Sequence, residues 1–177
     1  FLSDYLTNSV VNFVSDKMID PYFRGLALDY QNEKMGKLTV NLAKIEISPK
    51  GNKIGLNLRY PIDWPKEEFL KKLHLEIGAY GFKFEVLSDS VPHYVDPEED
   101  LVQILYSSYK KYSKDEKSKP YTIGGGTYAR ILKKGVSFGP TFPHTIAHIH
   151  EPNEYITVED ALLGTIIYAD AIKELSK

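Results

Sequence analysis

Three histidines fall within seven positions: His144, His148 and His150. Imidazole stays neutral near physiological pH and is the commonest side-chain metal ligand. His148 and His150 are two apart, so on an extended chain they share a face, and His144 and His148 can share one too. A two-histidine zinc site is one reading. Histidines hydrogen-bonded within a surface loop are the other. The spacing is not the HExxH of helical zinc proteases. A second candidate is the run GGGTYAR, Gly124 to Arg130, predicted to leave a short strand and enter a helix. Backbone N–H groups of such a turn can approach an anion, which a helix N-terminus favours. The run lacks GxGxxG spacing and a Walker lysine, and a tight strand-to-helix turn is the plainer account. Thr127 serves there as an N-cap or as a ligand contact. The third candidate is Arg59 in LNLRYP. Strand alternation puts Leu56 and Leu58 on one face, Asn57 and Arg59 on the other. An arginine fork can clamp a carboxylate through two parallel N–H bonds; a solvated strand residue is the alternative. The acidic run Asp96, Glu98, Glu99 and Asp100 reads as a helix N-terminus.

The elements that must position these residues follow from periodicity. Leu2, Leu6, Val10, Phe13, Val14 and Met18 predict a helix over 2–19, stopped by Asp20-Pro21. Residues 38–47 alternate, with Leu38, Val40, Leu42 and Lys44 on one face and Thr39, Asn41, Ala43 and Ile45 on the other. The turn SPKGN and a second alternating run, IGLNLRYP, complete an antiparallel hairpin. Pro65 opens a helix to about residue 78 through Phe69, Leu70, Leu73 and Ile77. FKFEVLS reads as a third strand. Helix, strand, strand, helix, strand is the order of a ferredoxin-like unit lacking its first strand.

A polar, proline-bearing connection from Asp89 to Pro97 marks a boundary. Beyond it come a helix over 98–112 with Leu101, Val102, Leu105 and Tyr109 inward, then short strands at YTI and GVSFG. A terminal amphipathic helix carries Val158, Ala161, Leu162, Thr165, Ile166, Ala169 and Ile172. The expected fold is α/β of the α+β kind, with a partial ferredoxin-like domain, its first strand missing, over 1–88 and a second part over 89–177.

Composition removes several function classes. With 42% hydrophobic and 26% charged residues the chain can build a core. A net charge of -2 gives no general pull towards nucleic acid or an anionic membrane. The chain has no cysteine, which excludes disulfides, thiolate metal sites and a cysteine nucleophile. That absence fits a reducing, cytoplasmic compartment. No apolar run approaches the roughly 18 residues of a membrane span.

Together, IGGGTYAR, GVSFGP, HEPNEYI and the terminal helix, preceded by MGKLTVNLAKIEI and LNLRYP, resemble the PepV-like dipeptidases. These form a branch of the dinuclear zinc peptidase family that includes carnosinase, aminoacylase and glutamate carboxypeptidase. The resemblance covers nearly the whole chain, and its specificity lies in the combination and order of the motifs. It implies an enzyme that hydrolyses dipeptides with water activated by two zinc ions. It implies that His150, in His150-Glu151-Pro152-Asn153-Glu154-Tyr155, is a zinc ligand, whereas His144 and His148 are not. Arg59 would hold the substrate's terminal carboxylate. Gly125, Gly126, Thr127 and Arg130 would border the substrate, and Asn41 would lie near it. The family's other ligands and its general-base glutamate have no counterpart here. The chain is therefore expected to be the C-terminal part of such an enzyme, inactive alone and dependent on the missing N-terminal half. A non-catalytic remnant that binds peptides or carboxylates, and a piece acting only with a separately made N-terminal half, are the rival expectations.

Overall fold

A computed structural model describes residues 8–139, 141–146 and 149–177. It is mixed α and β, with two small antiparallel sheets and four α-helices among the described residues. The contacts divide into two units. One takes the described residues to Tyr94 together with Thr122–Gly124; the other takes Val95–Tyr121 and Gly125–Lys177.

In the first unit, helix α1 spans Ser9–Lys17. The Asn8 side chain caps it by accepting from the Val10 N–H at 2.9 Å. Val10 and Phe13 face the core. The expected start at residue 2 lies outside the described residues. Gly25 then passes so close to the end of α1 that a Cβ there would lie 2.5 Å from the Lys17 carbonyl oxygen. Two short strands follow, β1 (Gln31–Asn32) and β2 (Gly36–Lys37). The main hairpin is β3 (Thr39–Ser48) with β4 (Gly51–Arg59). Helix α2, Lys66–Gly78, buries Phe69, Leu73 and Ile77, one residue per helical turn. These three join Phe13, Phe23, Leu26, Leu28, Leu38 and Val40 in one core, with Leu56, Leu58 and Ile54 packed at its margin. Trp64 stacks on Tyr60 at 4.3 Å and tilts against Phe69.

The hairpin departs from simple alternation at one place. Leu42 pairs with Leu56, but Lys44 pairs with Gly55, so Ala43 is an extra residue on β3. Such a bulge reverses the phase of everything beyond it. Lys44 therefore leaves the apolar face on which alternation put it. Ile45 takes its place opposite Ile54. The physical reason is visible in the spacing of the apolar residues, which jumps from two to three between Leu42 and Ile45.

Three expected strands do not form. Residues 82–88, 121–123 and 135–139 find no ladder partner among the described residues. A strand is stabilised by hydrogen bonds to a neighbour, and alternation alone supplies none. Leu87 is 88% exposed.

In the second unit, helices α3 (Asp100–Ser113) and α4 (Val158–Leu175) pack together. The Asp170 carboxylate ties them by accepting from Ser108, Lys111 and Tyr112 of α3 at 3.0, 2.6 and 3.1 Å. Thr157 caps α4 through the Asp160 N–H at 3.0 Å. The face of α4 that packs is Asp160, Gly164, Ile167 and Ala171. The stripe expected to be the buried one lies outside: Val158 is 70%, Leu162 61%, Ile166 48% and Ile172 68% exposed. Helix α4 is apolar on both sides, and α3 covers only one of them.

Candidate functional site

The β3–β4 hairpin sorts its side chains into two faces. Val40, Leu42, Leu56 and Leu58 turn to the core. The opposite face carries Thr39 paired with Arg59, then Asn41 paired with Asn57. Arg59 and Asn41 thus share one face, because no bulge separates them. Arg59 is exposed, and among the described residues its guanidinium has no ion pair or hydrogen bond. A carboxylate would find there a planar fork of donors without a competing counter-charge. Its neighbour is Gly124, where a Cβ would lie 3.5 Å from the Arg59 Cδ and 3.6 Å from Nη1. The resemblance implicates Gly125 and Gly126 of this run, whereas the glycine beside Arg59 is Gly124. The available signal was the run of three glycines before Thr127.

The rest of the glycine-rich run belongs to the second unit. Thr127 stands at the N-cap of a single 3-10 turn, Tyr128–Ile131, and its side chain makes no capping bond. The helix expected after GGGTYAR is that short turn. Just beyond the turn Gly135 closes in, so that a Cβ there would lie 2.6 Å from the Ala129 carbonyl oxygen. Arg130 folds back over Gly126, with Nη1 3.3 Å from where a Cβ would sit.

The histidines separate by environment. His144 lies parallel to Phe142, ring centres 5.7 Å apart, and its Nε2 is 2.8 Å from Oδ1 of Asp160. Thr145 donates to the other oxygen of Asp160 at 3.0 Å. Asp160 is 3% exposed. The His144 bond, helped by Thr145 and Thr157 and opposed by burial, holds its carboxyl below the usual carboxylate range. His148 lies outside the described residues. His150 is exposed, with φ of 64°, and Asn153 has the same left-handed φ. Phe23, Ala27, Asp63 and Lys114 share that conformation, and His and Asn adopt it more readily than most residues. Among the described residues no group of three or more His, Cys, Asp or Glu is placed to hold a metal ion.

The Asp160 cluster has a pH signature. A carboxyl whose pKa is lower in the folded than in the unfolded state stabilises the fold above the unfolded value, here near 3.8. That contribution disappears as pH falls through the lowered folded value. Asp160→Asn should remove it, so the variant should be less stable than wild type at neutral pH and the gap should close on acidification. Thermal melts of both proteins from neutral pH through the carboxylate range check this; a gap independent of pH would contradict it.

The sequence model of peptidase family M20/M25/M40 matches residues 9–174. The chain belongs to this family of peptidases. Among its relatives, a Staphylococcus haemolyticus protein named "Putative dipeptidase" is 36% identical over 185 aligned residues, covering 99% of this chain and 39% of that protein. A protein of the same name from Staphylococcus saprophyticus is 35% identical, covering 96% of this chain and 37% of its own length. One from Staphylococcus epidermidis is 38% identical over 85% of this chain. This M20-family chain thus spans about two fifths of the length of the relatives it matches. No helix among its described residues is long and apolar enough to cross a membrane.

Proposed function

We propose that this chain is the carboxylate-reading and C-terminal part of a zinc-dependent dipeptidase of the PepV-like branch. The observation that carries the reading is Arg59: an exposed cation without a counter-charge among the described residues, beside Gly124, on the polar face of an M20-family hairpin. Its fork would hold the free carboxylate of a dipeptide. Holding that group at a fixed distance from the scissile bond selects substrates by length.

Among the described residues no metal centre is made up. A zinc site takes three or four protein ligands, whereas the described residues offer His150 as one donor in an exposed turn. The remaining donors would come from the part of the family's length that this chain does not span. The outward face of α4 supports the same division. Val158, Leu162, Ile166 and Ile172 form an apolar stripe, and such a stripe normally packs against another layer. Its occupant in this reading is the remaining part of the catalytic polypeptide. A second reading, a remnant that binds peptides or carboxylates without catalysis, draws on the missing donors.

Zinc stoichiometry and turnover separate the two. The test compares this chain alone with a chimera in which it replaces the matching segment of the Staphylococcus haemolyticus relative. The chimera should bind two zinc ions tightly and hydrolyse dipeptides; the chain alone should do neither. Hydrolysis by the chain alone would sink the proposal, and a chimera that folds and binds zinc yet leaves dipeptides intact would favour the remnant.

A further inference from the structure

The polar face of the hairpin holds more than Arg59. Asn41 and Asn57 are direct cross-strand partners, both exposed. Neither side-chain amide has a hydrogen bond among the described residues. Asparagine is depleted in strands because it neither packs well nor favours extended backbone. Here two of them face each other at the third of the nine pairs of the only long ladder among the described residues. Each amide offers two N–H donors and a carbonyl acceptor, the complement of a peptide group. Asn57 stands two residues from Arg59 on the same face, about 6.6 Å along the strand. A carboxylate gripped by Arg59 leaves its adjoining peptide group roughly one Cα–Cα step away, about 3.8 Å. The Asn57 side chain spans the remainder. The next position on that face is Gly55, which projects no side chain of its own and lies against its partner Lys44, whose Cβ would be 3.2 Å from a Cβ there.

We propose that Asn57 is a specificity-determining residue that hydrogen-bonds the peptide group next to the carboxylate held by Arg59, with Asn41 as the second amide of the pair. The inference rests on the reading of Arg59 as a carboxylate clamp. It makes the hairpin a reader of peptide C-termini rather than of carboxylates in general. Arg59 supplies attraction for any small carboxylate; Asn57 supplies the preference for one followed by an amide.

The test uses the whole chain, labelled with ¹⁵N, titrated with alanyl-alanine and separately with acetate. Alanyl-alanine should shift the Asn57 side-chain amide and the Arg59 Nε–H signals, whereas acetate should shift Arg59 alone. Asn57→Thr keeps a strand-favouring side chain, and unchanged hairpin amide signals will show that the variant folds. It should weaken alanyl-alanine binding roughly two- to tenfold, the worth of one neutral hydrogen bond, and leave acetate binding unchanged. Equal weakening for both ligands would overturn the proposal, because Asn57 would then act only by positioning Arg59. So would unchanged binding of alanyl-alanine, or a dipeptide that shifts Arg59 but not Asn57; that last pattern leaves the Arg59 reading intact. Conversely, an Asn57 shift that survives Arg59→Ala at full strength removes the clamp and, with it, the proposal's geometry.

Discussion

Replacing His150 with alanine in the chimera should remove about one zinc ion per site. The accompanying loss of dipeptide hydrolysis should exceed the roughly 10–100-fold that loss of an outer-shell partner costs. Three observations single out this histidine. The HEPNEY segment places His150, and neither His144 nor His148, three residues before the asparagine. The turn that holds His150 and Asn153, both at φ of 64°, leaves the imidazole exposed. His144 has its Nε2 engaged by a buried carboxylate, 2.8 Å away, and that contact anchors its loop to α4. Pulling His144 away to bind a metal would strip Asp160 of the partner that most lowers its pKa. Metal analysis of His144→Ala, His148→Ala and His150→Ala chimeras decides the matter without relying on activity. The assignment collapses if His148→Ala abolishes a tight site and His150→Ala leaves both.

How far the sequence could be read depended on whether the relevant contact was local. The hairpin, α2 and α3 were legible because their apolar residues recur with the period of one element. Arg59 and Asn41 were legible as outward-facing for the same reason, since both precede any phase change in their pairing. Ala43 was not, because alternation counted residue by residue passes over a bulge; only the three-residue step from Leu42 to Ile45 betrays it. Helix α4 shows a different limit. Its pattern was read as one stripe, yet apolar residues flank it on both sides, and periodicity does not say which side a neighbour will cover. The unpaired segment 82–88 has the same cause, since a strand pattern is a statement about a partner as much as about itself. Gly124 beside Arg59 and His144 beside Asp160 are contacts between residues 65 and 16 apart in sequence. No spacing rule reaches them.

Arg59→Ala in the chimera should raise KM for dipeptides and leave kcat nearly unchanged. Losing a buried, charge-assisted clamp costs roughly 2–5 kcal/mol, which corresponds to about thirtyfold to a few thousandfold at 1.4 kcal/mol per factor of ten. A clamp that holds ground state and transition state alike contributes uniform binding, and its removal appears in KM. In the chain alone Arg59 is exposed, so water and salt screen it and the same substitution should change carboxylate binding far less. Arg59→Lys should recover only part of the loss, because an ammonium keeps the charge but not the two parallel donors. The sharpest readout is discrimination between a dipeptide and its C-terminal amide. The intact chimera should prefer the free carboxylate strongly, and Arg59→Ala should bring the two substrates together by raising KM for the dipeptide alone. If both substrates lose equally, Arg59 supports the hairpin rather than reading the carboxylate. If neither changes, the polar face of β4 is solvated surface, and the length selection proposed for this site has to come from elsewhere.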